Sequence, residues 1–143
     1  PADDKTVREA AASAMELCGI TSLGAVQCGR LSTGQRRLVE LARCIAGRFD
    51  LLLLDEPSSG LDKDETAQFG DVITRLAVEE GTGILLVEHD MSLVMDVCQF
   101  IYVLDFGEKL FEGSPAAVAA SPVVQAAYLG STDALAMASG TTA

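Results

Sequence analysis

Positive charge is scarce in this sequence. Its 143 residues include 10 lysine and arginine residues against 21 aspartate and glutamate residues, for a formal net charge of −11. This balance argues against binding nucleic acid through a broad basic surface. It also argues against direct adsorption to an anionic membrane face. We therefore expect no nucleic-acid partner.

Metal-binding side chains and long apolar runs are also rare. Four cysteines and a single histidine are present, and no two cysteines have C-x-x-C spacing. The lack of such pairs argues against a zinc site. Scattered thiols are typical of proteins in a reducing cytosol. No apolar run approaches the roughly 18 residues that a membrane span needs, and no signal peptide is recognisable. The chain begins at Pro1 rather than at a methionine, so we expect a piece of a longer protein.

Apolar residues, at 49 % of the chain, are plentiful enough for one folded domain with a core. Where they recur at three- and four-residue spacing they predict amphipathic helices over residues 5–18, from Ser32 to Gly47, and across Phe69 to Ala77. Further along, we predict a short helix after Asp90, a hairpin of residues 100–104 and 109–111, and helices over residues 116–120 and 123–128.

Two short apolar runs predict the sheet. Residues 51–54 and 84–87 are too short for helices and read as strands that are buried on both faces. Because a predicted helix lies between them, they form a β-α-β unit, and the two strands should be parallel. The fold class is therefore α/β.

A first candidate site is Leu31-Ser32-Thr33-Gly34-Gln35, at the start of the second helix. Ser32 and Gln35 have the S-x-x-Q spacing of a capping box. A helix N-terminus offers free N–H groups and a partial positive charge that attract phosphate, and Gly34 lets the backbone approach a ligand closely. The alternative interpretation is a capped helix with no ligand.

Acidic residues follow the first strand at Asp55 and Glu56. The carboxyl end of a parallel strand is where ligands of such sheets bind. An aspartate is a hard oxygen ligand suited to Mg²⁺, and a second carboxylate beside it could polarise a water molecule. The alternative is an acidic turn without a catalytic role.

Two further motifs are weaker on their own. Residues 59–62, Ser-Gly-Leu-Asp, are fully explained by a turn and a helix cap at Asp62. His89, within Glu88-His89-Asp90, follows the second strand and would lie beside Glu56 if the two strands are neighbours. A lone histidine is more often structural, but the place of His89 at the carboxyl end of a strand, beside a helix start, makes a functional role about as frequent.

Taken in order, the four motifs resemble those of the ABC ATPase family. Residues 31–35 are similar to the LSGGQ signature, with Thr33 departing at a position that varies in the family. Residues 51–56 resemble the Walker B strand, residues 59–62 the D-loop, and His89 the switch histidine. The resemblance implies a partial P-loop NTPase (RecA-like) core with parallel strands, together with part of the helical signature subdomain.

The resemblance also implies roles at the strand ends. Asp55 would hold Mg²⁺ through water. Glu56 would orient or deprotonate the attacking water, and His89 would contact the γ-phosphate. Loss of any one such group should be costly, because phosphoryl transfer depends on positioning and charge neutralisation.

For the signature, the resemblance implies action across a dimer. Ser32 and the backbone of Gly34 would bind the γ-phosphate of an ATP held by a second ATP-binding subunit. The other residues of this signature are Leu31, Thr33 and Gln35. Asp62 would help to couple the two ATP sites. The implied partners are that second subunit and transmembrane permease subunits, at the cytoplasmic face of the cell membrane.

No G-x-x-x-x-G-K-[ST] occurs in the sequence. The adenine-stacking aromatic and the Q-loop glutamine of the family are also unmatched, since Gln27 lies too close to Leu31 to serve. We therefore expect this chain alone to be inactive as an ATPase, and to associate through the edges of an incomplete sheet.

The resemblance covers roughly residues 5–130 and implies three parts. Residues 1–46 would be a remnant of the helical subdomain, residues 47–130 the second half of the ATPase core, and residues 131–143 a flexible tail. Within the family, the stretch from Val87 to Met95 and the ending from Val123 to Gly130 resemble the ATP-binding subunits of branched-chain amino-acid importers.

Three other functions stay open at this point. ATPases of lipopolysaccharide export share much of the same ending. A non-catalytic interaction fragment is possible, although the retained Glu56 and His89 speak against it. A soluble ABC protein acting on DNA or ribosomes usually carries long insertions that are absent here.

Overall fold

The computed structural model describes residues 3–128. Within that range no helix is long and apolar enough to cross a membrane. The helices are α1 (Asp4–Leu17), α2 (Thr33–Ala46), α3 (Lys63–Glu79), α4 (Met91–Val97), α5 (Pro115–Ala120) and α6 (Pro122–Tyr128); the strands are β1 (Leu51–Asp55), β2 (Gly83–Val87), β3 (Ile101–Asp105) and β4 (Glu108–Gly113).

The described part of the chain divides into two compact units, with the boundary between Val97 and Cys98. The expected subdomain boundary between residues 46 and 47 lies inside the first unit and stays a prediction. The tail expected from residue 131 lies outside the described residues.

Parallel pairing of β1 with β2 is the centre of the first unit. Leu51 lies opposite Gly83 and Asp55 opposite Val87, without a shift in register. The predicted β-α-β unit is therefore confirmed, with α3 as the crossover helix.

The expectation that both strands are buried on both faces is wrong. Residues at alternating positions lie on opposite faces of a strand. Leu52, Leu54, Ile84 and Leu86 face the core, whereas the opposite face is exposed. In the described part of the chain the packed helices cover only one face of this sheet, and its other face exposes Leu51, Leu53, Leu85 and Val87 to between 55 % and 69 %.

Apolar stripes of three helices supply the rest of the core. The predicted faces of α2 and α3 are confirmed, because Leu38 and Leu41 on α2 and Phe69 and Leu76 on α3 are buried. These side chains pack together with Leu52 of β1 in one cluster. Removing this apolar surface from water is the main favourable contribution to folding.

The predicted face of α1 is correct only in its second half. Ala14 and Cys18 are buried, but Val7 and Ala11 are exposed. Helix α1 packs on α2, and the core cluster takes up α1 residues only from Ala14 onward. Burial of the Cys18 thiol raises its pKa to about 11, despite the opposing effect of Arg75.

The second unit is the predicted hairpin with two short helices. Strands β3 and β4 pair antiparallel, and Phe106 and Gly107 between them both have positive φ, as a type I′ two-residue turn requires. Helices α5 and α6 pack against β4. Val118 and Val124 of these helices are buried within this unit.

Truncating Phe69, which is 2 % exposed in the core cluster, should destabilise the chain strongly. We expect Phe69→Ala to cost about 3–5 kcal/mol, because it removes a buried ring and leaves a cavity. The control is Val78→Ala on the same helix, where the side chain is 70 % exposed and the cost should be about 0.5 kcal/mol or less. Urea denaturation followed by circular dichroism measures both; equal effects would contradict the packing described.

Asp90 makes stability depend on pH. Its Oδ1 accepts hydrogen bonds from the Ser92 hydroxyl at 2.6 Å and from the backbone N–H groups of Ser92 at 2.9 Å and Leu93 at 3.3 Å. The hydrogen bond from the Ser92 hydroxyl is the main reason that the pKa of Asp90 lies below its ordinary 3.8. Partial burial of the carboxyl group acts in the opposite direction. A carboxyl group whose pKa falls on folding stabilises the fold above its unfolded pKa, and this contribution is lost as pH falls through the folded pKa.

We expect Asp90→Asn to lower the thermal midpoint of unfolding at pH 7. The difference in midpoint between this variant and the parent chain should become smaller as the pH is lowered from about 5 to about 2. Asparagine is itself a good helix cap, so the loss at neutral pH should be modest. The exposed Asp71 offers the control Asp71→Asn. A constant Asp90→Asn effect across this range would rule out an ionisation-linked cap.

Candidate functional site

The carboxyl ends of β1 and β2 meet at one edge of the sheet. Asp55 pairs with Val87, and the backbone N–H of Glu56 donates to the Val87 carbonyl at 2.8 Å. The residues that follow the two strands are thereby brought side by side. Sequence reasoning placed Glu56 and His89 here on the condition that the strands are neighbours, and that condition is met.

Glu56 and His89 face each other across this edge. The Nδ1 atom of His89 lies 3.6 Å from Oε1 of Glu56, and the two side chains are 72 % and 56 % exposed, respectively. Glu56 also has a φ of 43°, in the left-handed region that residues other than glycine rarely adopt. Such backbone strain is concentrated at functional sites. An exposed carboxylate beside an imidazole can exchange protons with a substrate or a water molecule.

Glu88 holds the two loops of this edge together. Its side chain is 0 % exposed. Oε1 accepts a hydrogen bond from the backbone N–H of Ser58 at 2.8 Å, and Oε2 accepts from those of His89 at 3.1 Å and Asp90 at 3.4 Å. Sequence reasoning assigned Glu88 no role of its own. No local pattern would have found it, because Ser58 is 30 residues away in the chain.

Asp55 ends β1 with an exposed side chain. Within residues 3–128 its carboxylate has neither a hydrogen bond nor an ion pair, so it is available to an external ligand. The same residues contain no group of three or more acidic, histidine or cysteine side chains that could hold a metal ion by themselves. A cation at Asp55 would therefore need water or a bound ligand to complete its coordination.

Residues 31–35 form the predicted capping box at the start of α2. The Ser32 hydroxyl oxygen accepts from the Gln35 backbone N–H at 3.1 Å, and the Gln35 side chain accepts from the Ser32 N–H at 3.0 Å. Leu31 and Gly34 are buried, whereas Ser32 and Thr33 are exposed. The predicted helix cap at this motif is therefore confirmed.

Asp62 starts α3 with a second capping box. Its Oδ1 accepts from the Glu65 N–H at 2.9 Å, and the Glu65 carboxylate accepts from the Asp62 N–H at 3.2 Å. The other oxygen of Glu65 accepts from the Ser32 hydroxyl at 3.3 Å. Sequence reasoning missed Glu65, although the D-x-x-E spacing is a recognisable capping-box signal.

The candidate residues thus form two groups. Asp55, Glu56 and His89 lie at the sheet edge, while residues 31–35 and Asp62 meet around Glu65. Throughout the described residues, no hydrogen bond or ion pair joins one group to the other. A cavity of about 480 Å³ lies elsewhere, near Asp50 and Thr82 before the two strands, and contains no candidate residue.

Comparison with protein families gives two matches. Residues 2–59 match the model of the ABC transporter family. Residues 108–134 match the model described as the branched-chain amino acid ATP-binding cassette transporter. The first match includes the α2 capping box and the end of β1.

Two curated relatives are similar to most of the chain. The high-affinity branched-chain amino acid transport ATP-binding protein BraF of Pseudomonas aeruginosa is 39 % identical over 133 residues, which cover 91 % of this chain and 52 % of the relative. LivG of Escherichia coli, with the same description, is 39 % identical over 120 residues, covering 84 % and 47 %. The chain thus spans about half the length of the curated relatives it matches.

Solved structures agree with this assignment. The ADP conformation of MJ1267, an ATP-binding cassette of an ABC transporter, superposes with a TM-score of 0.79 at 26 % identity, covering 91 % of this chain and 52 % of that one. The resemblance stated from the four motifs is therefore confirmed, as is the α/β fold class of a partial P-loop NTPase core. The chain belongs to the ABC transporter ATP-binding family, and it corresponds to about half of one ATP-binding cassette.

Proposed function

We propose that this chain is part of the ATP-hydrolysing subunit of an ABC importer. The observation that carries the proposal is the pairing of Glu56 and His89, with Nδ1 and Oε1 3.6 Å apart, at the carboxyl ends of two parallel strands. This is the edge at which open α/β sheets bind their ligands. ATP is the ligand expected for this family.

Glu56 is proposed to orient or deprotonate the water that attacks the γ-phosphate. Its carboxylate is half exposed and is not neutralised by a lysine or an arginine among the described residues. His89 would contact the γ-phosphate from the neighbouring strand end, and its position is fixed by the bond from its N–H to buried Glu88. In phosphoryl transfer such positioning and charge compensation supply most of the catalysis.

Asp55 is proposed to hold Mg²⁺ through water. The fit rests on an exposed carboxylate with no competing partner in the described chain, one residue before Glu56. When bound, the ion would compensate the negative charge of the phosphates. Mg²⁺ usually keeps several of its waters and is held through one or two carboxylates, so a single aspartate with water is a suitable site.

Residues 31–35 are proposed to bind the γ-phosphate of an ATP held by a second ATP-binding subunit. The cap uses the N–H groups of Ser32 and Gln35. The N–H groups of Thr33 and Gly34 have no acceptor in residues 3–128, so they remain available to a phosphate at the helix N-terminus. Their separation from Glu56 and His89 supports a role toward another subunit's ATP, with Asp62 coupling the two sites.

The importer is proposed to transport branched-chain or related amino acids. The match of residues 108–134 to the branched-chain family model and the 39 % identity to BraF favour this group over lipopolysaccharide export. Permease subunits would be the membrane partners, and the ATPase would bind them peripherally at the cytoplasmic face. The permease and its associated proteins, rather than this chain, would choose the substrate.

The 143-residue chain should neither bind ATP tightly nor hydrolyse it alone. It contains no P-loop sequence, whose backbone amides and lysine hold the phosphates. Titration with a fluorescent ATP analogue and Mg²⁺ should show no saturable binding up to about millimolar concentration, the weak regime of about −4 kcal/mol. Micromolar binding abolished by Asp55→Asn would show that the chain builds a phosphate site of its own.

Catalysis should appear when the P-loop half of a family cassette is joined ahead of residue 3. We expect magnesium-dependent ATP hydrolysis by this fusion, and a loss on the order of 100-fold or more in Glu56→Gln, since the amide cannot accept a proton. Glu80→Gln makes the same chemical change at an exposed position of the first unit and serves as control. A Glu56→Gln fusion with parental turnover would refute the catalytic assignment, provided that the parental fusion is active.

A further inference from the structure

The helix caps of α2 and α3 share one hydrogen bond. Each helix starts with a complete capping box, Ser32 with Gln35 and Asp62 with Glu65. A capping box needs one side-chain acceptor at its third position. Glu65 satisfies its own box with Oε2 alone, at 3.2 Å from the Asp62 nitrogen. Its Oε1 is therefore free to accept from Ser32, 33 residues earlier in the chain.

The Ser32 hydroxyl has one proton, and that proton points to Glu65. Its oxygen already accepts from the Gln35 N–H at 3.1 Å. The proton is donated to Oε1 of Glu65 at 3.3 Å, which is long for a bond between two oxygens. A long bond to a partly exposed carboxylate is one that another acceptor can replace at low cost.

The absence of a side chain at Gly34 makes room for this contact. A Cβ atom built on Gly34 would overlap the carboxylate and the Cγ of Glu65. Gly34 lies within α2 and does not have positive φ, so its backbone does not require glycine. The closeness of Glu65, within the same chain, is thus a reason for glycine here that does not involve a ligand.

We propose that Glu65 is a positioning residue that ties residues 31–35 to Asp62 through the Ser32 proton. The tie rests on geometry alone; its catalytic consequence rests on the proposed function. A γ-phosphate that reached Ser32 would accept the hydrogen bond from its hydroxyl in place of Glu65, which would keep its bond from the Asp62 N–H. Binding of a phosphate at Ser32 in this way changes the hydrogen bonding of Glu65 at the start of α3.

Backbone hydrogen exchange of the 143-residue chain, without nucleotide, tests the tie. The readout is the Asp62 amide, which is bonded only to Glu65 in the described structure. We expect Ser32→Ala to speed its exchange by about fivefold, the effect of weakening one hydrogen bond. Ser32→Thr keeps a hydroxyl and should restore slow exchange. In a Glu65→Ala background, Ser32→Ala should have no further effect at Asp62.

Two controls separate the tie from general loosening. Gln35→Ala breaks the α2 capping box but leaves the Ser32 hydroxyl bonded to Glu65, so Asp62 should exchange as in the parent chain. Asp64→Asn removes the charge of a neighbouring exposed side chain that has no hydrogen bond or ion pair within residues 3–128, and it should also leave Asp62 exchange unchanged.

A second measurement uses Gly34. Gly34→Ala should lower the thermal midpoint in the parent chain, where the new methyl group displaces Glu65, and raise it in Glu65→Ala, where alanine is simply the better helix former. The proposal is overturned if Ser32→Ala leaves the exchange rate of the Asp62 amide unchanged. It is also overturned if Gly34→Ala shifts the thermal midpoint in the same direction in both backgrounds. Because neither measurement involves ATP, a Glu56→Gln fusion that keeps parental turnover would refute the catalytic assignment while leaving this result standing.

Discussion

Backbone pairing between β1 and β2 fixes the position of each side chain proposed to act on the phosphate from this subunit. In the parallel register Asp55 lies opposite Val87, and the Glu56 N–H continues the ladder by one bond to the Val87 carbonyl. A shift of one residue would turn every side chain of β2 to the other face. The apolar face carrying Leu52 and Leu86 resists that shift, because it packs in the core. Core packing thus determines where the exposed carboxylate and imidazole meet.

Glu88 shows how this edge tolerates a buried charge. A buried carboxylate is costly unless its oxygens are satisfied. Three backbone N–H groups, from Ser58, His89 and Asp90, provide that satisfaction, and no lysine or arginine within the described residues is paired with it. A side chain in this position resists movement of either loop, since moving one loop would leave a buried oxygen without a donor. Rigidity between Glu56 and His89 follows from satisfying Glu88.

Much of this architecture could be read from the sequence, for reasons that are local. The apolar run between Asp50 and Asp55 is enough to predict a strand, and the S-x-x-Q spacing predicts the start of α2. What was missed depends on contacts distant in sequence. An apolar run cannot say whether one or both of its faces are covered, so the exposure of Leu53 and Leu85 was unforeseen. Glu65 gains the Ser32 hydroxyl, and Glu88 gains the Ser58 N–H, only when segments 30 or more residues apart come together.

The two interpretations of residues 31–35, a helix cap and a phosphate site, use different atoms and are compatible. Capping takes up the N–H groups of Ser32 and Gln35 and fixes the loop. Two N–H groups, of Thr33 and Gly34, remain without an acceptor in the described residues. A helix N-terminus that is capped in this way is rigid and still partly unsatisfied, and it keeps its positive partial charge. The capping box therefore prepares the loop for an anion, and finding the cap is no argument against the ligand.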